Sequence, residues 1–261
     1  MPRLPNGIHV PNATFQAIFD VRRRVSAAPA FVPSDLPNLA YWYRRGTGIT
    51  LNGSNVSAWN DQSGNARHLS QGTATNQPAW LASGGPGGGS YIDFDGVDDF
   101  LSGSGFALSG AMTFVAVIKA DAISGNANGV FEHSNGATHF DFELINYPGY
   151  TTYNFAANYT GDTLVGFNGL NTSNYDAFVV TYNGSGSSTP ANYGITVDGA
   201  AKTVIFSGTV ASFSSGFVLG RRLDTPGTNY FNGQVVEIFG YSDLKSGADL
   251  ANIVAYANTL I

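Results

Sequence analysis

Apolar and polar positions alternate along most of the chain after Leu39. Met112, Phe114, Ala116 and Ile118 interleave with Thr113, Val115, Val117 and Lys119, and both sets are mostly apolar. A strand apolar on both faces is covered on both sides, so this pattern predicts a central strand. Phe178, Val180 and Tyr182 alternate with Ala177, Val179 and Thr181 ahead of an Asn183-Gly184 turn. Ile195 to Val197, then Asp198-Gly199, then Lys202 to Phe206 read as a hairpin, because Asp-Gly accepts the positive φ of a tight primed turn. Gln234 to Tyr241, carrying Val235, Ile238 and Tyr241, reads as a further apolar strand.

The periodicity changes at the two ends. Ser246 and Asp249 have capping-box spacing, and Leu250, Ile253, Val254 and Ala257 follow at i, i+3, i+4, i+7, which predicts a C-terminal helix. One terminal helix after a run of strands points to a sandwich with an accessory helix, not to a parallel α/β sheet. At the other end Pro2, Pro5, Pro11, Pro29, Pro33 and Pro37 interrupt residues 1–37. Between them Asn12 caps a short predicted helix with Phe15, Ile18 and Phe19 on one face and Arg22, Arg23 and Arg24 at its C-terminal end. Such a helix is unstable alone and must dock on the sandwich, a sister subunit or a larger assembly. Residues 1–37 are therefore read as an anchoring and oligomerising arm, and 38–261 as one β-sandwich. Ser83 to Ser90 (SGGPGGGS) and Gly184 to Asn192 read as flexible loops. No period of about 20–50 residues recurs, so a propeller or solenoid is not expected.

Composition narrows the function classes. The 261 residues carry a net charge of −6, 33 glycines, no cysteine and 11% charged residues, against roughly 25% in ordinary globular domains. A chain of this length buries a core without disulfides or a structural metal. Twelve Lys and Arg residues are too few for a phosphate-tracking stripe, and no basic cluster is interleaved with aromatics, so nucleic acid is not an expected partner. No window approaches the roughly 18 consecutive apolar residues of a membrane helix. The N-terminus, MPRLPNGIHVPNATF, lacks the apolar run of a secretory signal. The expectation is synthesis in a cytoplasm, with release by lysis or inside a particle.

Three segments, taken together, resemble a known family. They are Leu39 to Leu81 with WNDQSGNARH, Tyr91 to Leu101 (YIDFDGVDDFL), and Phe217 to Ile261 with FVLGRR, YFNGQVVEIFGYSDLKS and the closing helix. Their order resembles laminin G-like and pentraxin-like domains of the concanavalin A-like lectin/glucanase superfamily. The resemblance implies an all-β, antiparallel jelly-roll β-sandwich. Domains worded this way are frequent in tailed-phage virion proteins, which implies a structural or decoration protein of the capsid, head fibre or tail fibre. Capsid or tail proteins and host-surface glycans are then the expected partners of a homo-oligomer in the virion. A free-standing carbohydrate-binding module and a glucanase-like enzyme are the alternatives.

Candidate chemistry is sparse. The glucanase branch carries a Glu-x-Asp-x-x-Glu strand; here His139, Asp141 and Glu143 alternate, but position 146 is asparagine. The third acid is missing, so no catalytic residue is assigned. Asp93, Asp95, Asp98 and Asp99 read either as a calcium site or as a tight turn whose acids cap backbone amides, and Asp61 with Asn65 carries the same two readings. Beyond that open calcium question no cofactor is expected. His9, His68, His133 and His139 lack zinc spacing, and the glycine run at 84–89 lacks the lysine of a phosphate cradle. Two stretches mix aromatic and polar groups as ligand-binding loops do. One is Arg221, Arg222, Asp224 and Tyr230; the other is Tyr147, Tyr150, Tyr153 and Tyr159.

Overall fold

The computed structural model describes residues 30–106, 110–122, 128–134, 139–147, 150–158, 165–168, 172–185, 190–206, 216–222 and 229–261. Phe15, Ile18, Phe19, Arg22, Arg23 and Arg24 of the expected arm lie outside them. The compact β unit is Pro33–Ile261. Side chains of the body hold residues 33–37. Tyr241 donates its hydroxyl to the Pro33 carbonyl at 2.9 Å, and Lys245 Nζ donates to the Pro37 carbonyl at 2.8 Å.

In chain order the strands are β1 Leu39–Tyr43, β2 Ile49–Asn52, β3 Asn55–Trp59, β4 Leu69–Ser70, β5 Ala79–Leu81, β6 Tyr91–Asp95, β7 Leu101–Gly103, β8 Met112–Ala122 and β9 Asn128–Ser134. There follow β10 His139–Tyr147, β11 Tyr150–Asn158, β12 Val165–Asn168, β13 Asp176–Tyr182, β14 Tyr193–Val197, β15 Ala200–Ala201, β16 Ile205–Phe206, β17 Gly216–Leu219 and β18 Asn232–Tyr241. Helix α1, Gly247–Asn258, closes the chain. The strand pairings are antiparallel and trace two layers. The first runs β14–β13–β8–β18, with β6 and β1 sharing the far edge of β18. The second runs β7–β17–β9–β10–β11–β12–β16. Short strands β5, β3 and β4 carry the hydrogen bonding from one layer to the other.

Aromatic rings join the layers. Phe114 of β8 lies 5.3 Å from Phe131 of β9, Phe142 of β10 lies 5.2 Å from Phe178 of β13, and Tyr41 of β1 lies 5.7 Å from Phe131. Ala116, Ile118, Val180, Phe167, Phe217 and Leu219 fill the same core. As the double apolar alternation predicts, β8 is also buried on its outer side at Val115 and Val117. That side is covered by α1, which buries Ile253 and Ala257 and sets Tyr256 edge-on to Phe239 at 5.8 Å.

A bulge in β18 decides how the helix is held. Gln234 lies on the outer face, and strict alternation would turn residue 237 into the core. The register shifts between Val235 and Glu237, so Glu237 points outward under α1 and Ile238 points inward. The buried Glu237 carboxylate accepts from Trp42 Nε1 at 2.6 Å, the Tyr256 hydroxyl at 2.7 Å and the Arg45 amide at 3.0 Å. One acid thus joins β1, β18 and α1.

Several loops differ from expectation. Ser83 to Ser90 is an ordered clasp, not a flexible loop. Gly85 N donates to the Gly89 carbonyl at 2.9 Å, and Arg45 donates to the carbonyls of Ser90 at 2.9 Å and Pro86 at 2.6 Å. The planar guanidinium supplies the partners a glycine run cannot supply for itself. The Asp198-Gly199 turn forms as expected, with φ of 51° and 77°. Its return strand stops at Ala201, however, and Ile205–Phe206 pairs with β12 instead. Tyr147, Tyr150 and Tyr153 lie in the β10–β11 hairpin, with Tyr147 opposite Tyr150, and not in a loop. The alternating Thr, Tyr and Phe of that stretch are strand-forming residues.

Replacing Glu237 by alanine leaves two side-chain donors and one amide buried without their acceptor. Denaturant unfolding of Glu237→Ala is expected to show a loss of about 3 kcal/mol, the scale for hydrogen bonds to a buried charge.

Candidate functional site

One end of the sandwich gathers polar groups from separate segments. The turn after β6 is built by its own acids. Asp95 Oδ1 accepts from the amides of Val97 at 2.8 Å and Asp98 at 3.3 Å, and Asp99 Oδ2 accepts from the Asp95 amide at 3.0 Å. Gly96 has φ of 75°, and a Cβ there would stand 2.6 Å from that of Asn232, so the turn requires glycine.

The segment after β17 crosses this turn. Gly220, at φ of 96°, passes so close that a Cβ would meet the Phe94 ring at 2.5 Å and the Asp99 carbonyl at 2.9 Å. Its amide donates to the Val130 carbonyl at 2.8 Å, and its carbonyl accepts from Phe231 N at 2.8 Å. The crossing sets the Arg221 guanidinium over the Phe100 ring, 4.0 Å from its centroid. Arg221 Nε is buried there without a hydrogen-bond partner among the described residues. Arg222 packs on the backbone of Gly129, and the neighbouring Asn128 donates Nδ2 to the Tyr230 carbonyl at 2.8 Å.

Gly220 and Arg221 therefore meet the Asp99–Phe100 end of the turn, while Arg222 and Tyr230 meet β9 at Gly129 and Asn128. Tyr230 is only 9% exposed, so its ring offers little surface for stacking. Asp224 and Tyr159 lie outside the described residues. Tyr147, Tyr150 and Tyr153 belong to β10 and β11, and β10 pairs directly with β9, with Leu144 opposite Asn128. The meeting of Phe100 and Asn128 with Arg221 and Arg222 leaves no trace in local spacing, because only the strand pairing makes them neighbours.

The acids divide by environment. One oxygen each of Asp95, Asp98 and Asp99 lies within 4.8 Å of the others, a hard-oxygen set of the kind calcium takes. Burial pushes the Asp99 carboxyl up to about 6, helped by the charges of Asp95, Asp98 and Asp93 and opposed by the Asp95 amide. Asp61 is committed to structure. Its oxygens accept from the amides of Trp42, Ser63 and Arg67 and from the Ser63 hydroxyl. Asn65 Nδ2 likewise bonds the carbonyls of Leu39 and Ala40. His133 is buried, accepts from Phe106 N at Nε2 and is pushed down to about 4 by desolvation, so it stays neutral. Asp141 and Glu143 flank core residue Phe142 in β10.

A carboxyl whose pKa rises on folding favours its protonated form. Its contribution to stability is complete below its ordinary value and is lost as pH rises through about 6. Asp99→Asn keeps an acceptor for the Asp95 amide and removes the charge. Calorimetric scans are expected to show a higher Tm for Asp99→Asn than for the parent at about pH 8, and equal values at about pH 4. Calcium is expected to narrow the difference at about pH 8 if these three acids hold it.

No family model matches the chain, and no curated protein matches it by sequence. Solved structures match its fold. Trypanosoma rangeli sialidase in complex with sialic acid matches at TM-score 0.57 and 12% identity, over 95% of this chain and 40% of the sialidase. This chain thus spans well under half of that enzyme. Domain 4 of AbnA, a GH43 extracellular arabinanase from Geobacillus stearothermophilus, in complex with arabinotriose, matches at TM-score 0.50 and 13% identity, over 85% of this chain and 98% of that domain. The botulinum neurotoxin type G receptor binding domain matches at TM-score 0.55 and 6% identity, over 85% of this chain and 51% of that one. At these identities the likeness shows the fold: this chain is an antiparallel β-sandwich with one C-terminal helix.

Proposed function

We propose that this chain is a carbohydrate-binding β-sandwich that holds a glycan without cleaving it. The observation that carries the reading is the convergence at one end of the sandwich. A guanidinium lies over an aromatic ring that directly follows a turn carrying a half-buried and an exposed carboxylate, on backbone fixed by glycine crossings. Sugars present alternating hydroxyls and apolar C–H faces, and a rigid mixture of charged, amide and aromatic groups complements both. The arabinanase domain supports the reading, because a domain matched over nearly its whole length holds a trisaccharide. The sialidase match covers too little of that enzyme to carry its activity here, and β10 lacks the third acid of a glucanase strand.

Display on a tailed-phage virion, with capsid or tail proteins as partners and host-surface glycans as ligands, rests on the resemblance of residues 39–261 and on the pattern of the first 37 residues. It places the same binding module on a particle.

A glycan array probed with the full chain is expected to give saturable binding to one class of oligosaccharide. Arg221→Ala is expected to weaken that binding by about tenfold, the scale of the charge-assisted hydrogen bonds its guanidinium would give to sugar hydroxyls. Absence of binding to any glycan would contradict the reading.

A further inference from the structure

Helix α1 covers only part of the outer face of the first layer. Beyond Val117 the outer positions of β8 become Lys119 and Asp121, and no helix lies over them among the described residues. Across the neighbouring strands the register places Lys119 opposite Gln234, Gln234 opposite Asp93, and Asp93 opposite Ala79. The outer positions of β6 are Tyr91, Asp93 and Asp95, since Ile92 and Phe94 fill the core. This row runs from the open face directly into the Asp95–Asp99 turn of the candidate site. At about 3.3 Å per residue it spans roughly 13 Å, more than one sugar ring.

The open face is prearranged. Tyr175, just before β13, donates its hydroxyl to Gln234 Oε1 and sets its ring edge-on to Tyr91 at 6.4 Å. Gln234 Nε2 donates to Asp121 at 3.3 Å, and Lys119 pairs with Asp121 at 2.7 Å. The glycine clasp presses on the same ring: a Cβ on Gly85 would stand 3.0 Å from Tyr91 Cδ1 and 3.3 Å from Arg45 Nη2. Glycine there lets the clasp lie flat along Tyr91, which gives the SGGPGGGS run a role at the edge of this face. Burial raises Tyr175 to about 12 and also raises Tyr91, so both hydroxyls stay protonated. Groups held in place by one another lose little freedom on binding.

We propose that the glycan site extends from the turn along β6 to Tyr91 and Tyr175, and that it takes a linear, neutral oligosaccharide. This rests on the carbohydrate-binding reading above. The charges choose the ligand. Asp93 and Asp121 outnumber Lys119, and Arg45 is committed to the clasp carbonyls. A net negative face accepts hydroxyl donors and repels sialic and uronic acids. The two rings offer apolar surface to C–H faces further along the chain.

The test is a titration of the full chain with neutral arabino-, gluco- and galacto-oligosaccharides of increasing length, and with sialyllactose. Affinity is expected to climb from disaccharide to longer chains, with sialyllactose the weaker ligand. Tyr175→Ala and Asp93→Asn are expected to flatten that climb, costing about tenfold on the longest ligand and little on the disaccharide, at unchanged Tm. Tyr175→Phe, which keeps the ring, is expected to retain most of the gain. Length-independent affinity, preference for sialyllactose, or indifference to the Tyr175 and Asp93 substitutions overturns the extended site while leaving a binding module in place. Failure of every saccharide to bind overturns the carbohydrate reading itself, and the extension with it.

Discussion

Strand β8 sets the constraint on which the rest depends. Its first seven residues are buried on both faces, and its outer positions turn polar at Lys119. The apolar half must be covered on the outside as well as in the core, and α1 provides that cover. The polar half needs no cover and remains open. One helix laid on one half of a sheet therefore divides the outer face into a structural region and a region free for contact. Glu237 fixes the border, since its carboxylate ties Trp42, Tyr256 and the Arg45 amide at the point where the helix ends its work.

Charge is used in two ways on this scaffold. Asp61 and Glu237 are buried and spend their oxygens on amides, an indole and hydroxyls of their own chain. They hold loops and the helix in place and have nothing left for a ligand. Asp93, Asp95, Asp98 and Asp121 stand at the surface along one row and its terminal turn. With few other charges in the chain, that distribution gives the open face a sign and hence a preference among sugars.

Much of the fold was legible because its signals are local. The double apolar alternation of β8, the Asp198-Gly199 turn and the spacing of Leu250, Ile253 and Ala257 each report on residues a few positions apart. What escaped was non-local. Nothing near Ser83 to Ser90 announces that Arg45, on a distant turn, will order it. Nothing around Phe206 shows that it leaves its hairpin for β12. Tyr147 to Tyr153 read as a loop because Asn, Pro and Gly surround them, although their own alternation is that of strands. The candidate site was half legible: DGVDD and GRR stand out singly, but only the glycine crossing at Gly220 joins them, and the pairing of Tyr91 with Tyr175 requires four strands, β6, β18, β8 and β13, to be laid side by side.

The central claim is that one face of the first layer, from the Asp95–Asp99 turn to Tyr91 and Tyr175, is the surface that meets sugar. Amide chemical-shift mapping of the full chain, titrated with arabinotriose and with a longer neutral oligosaccharide, addresses it most directly. The account predicts shifts at residues 91–99, 119–121, 175, 221 and 234, spreading toward Tyr175 with the longer ligand. Shifts confined to β10 and β11, or none at saturating sugar, would contradict it.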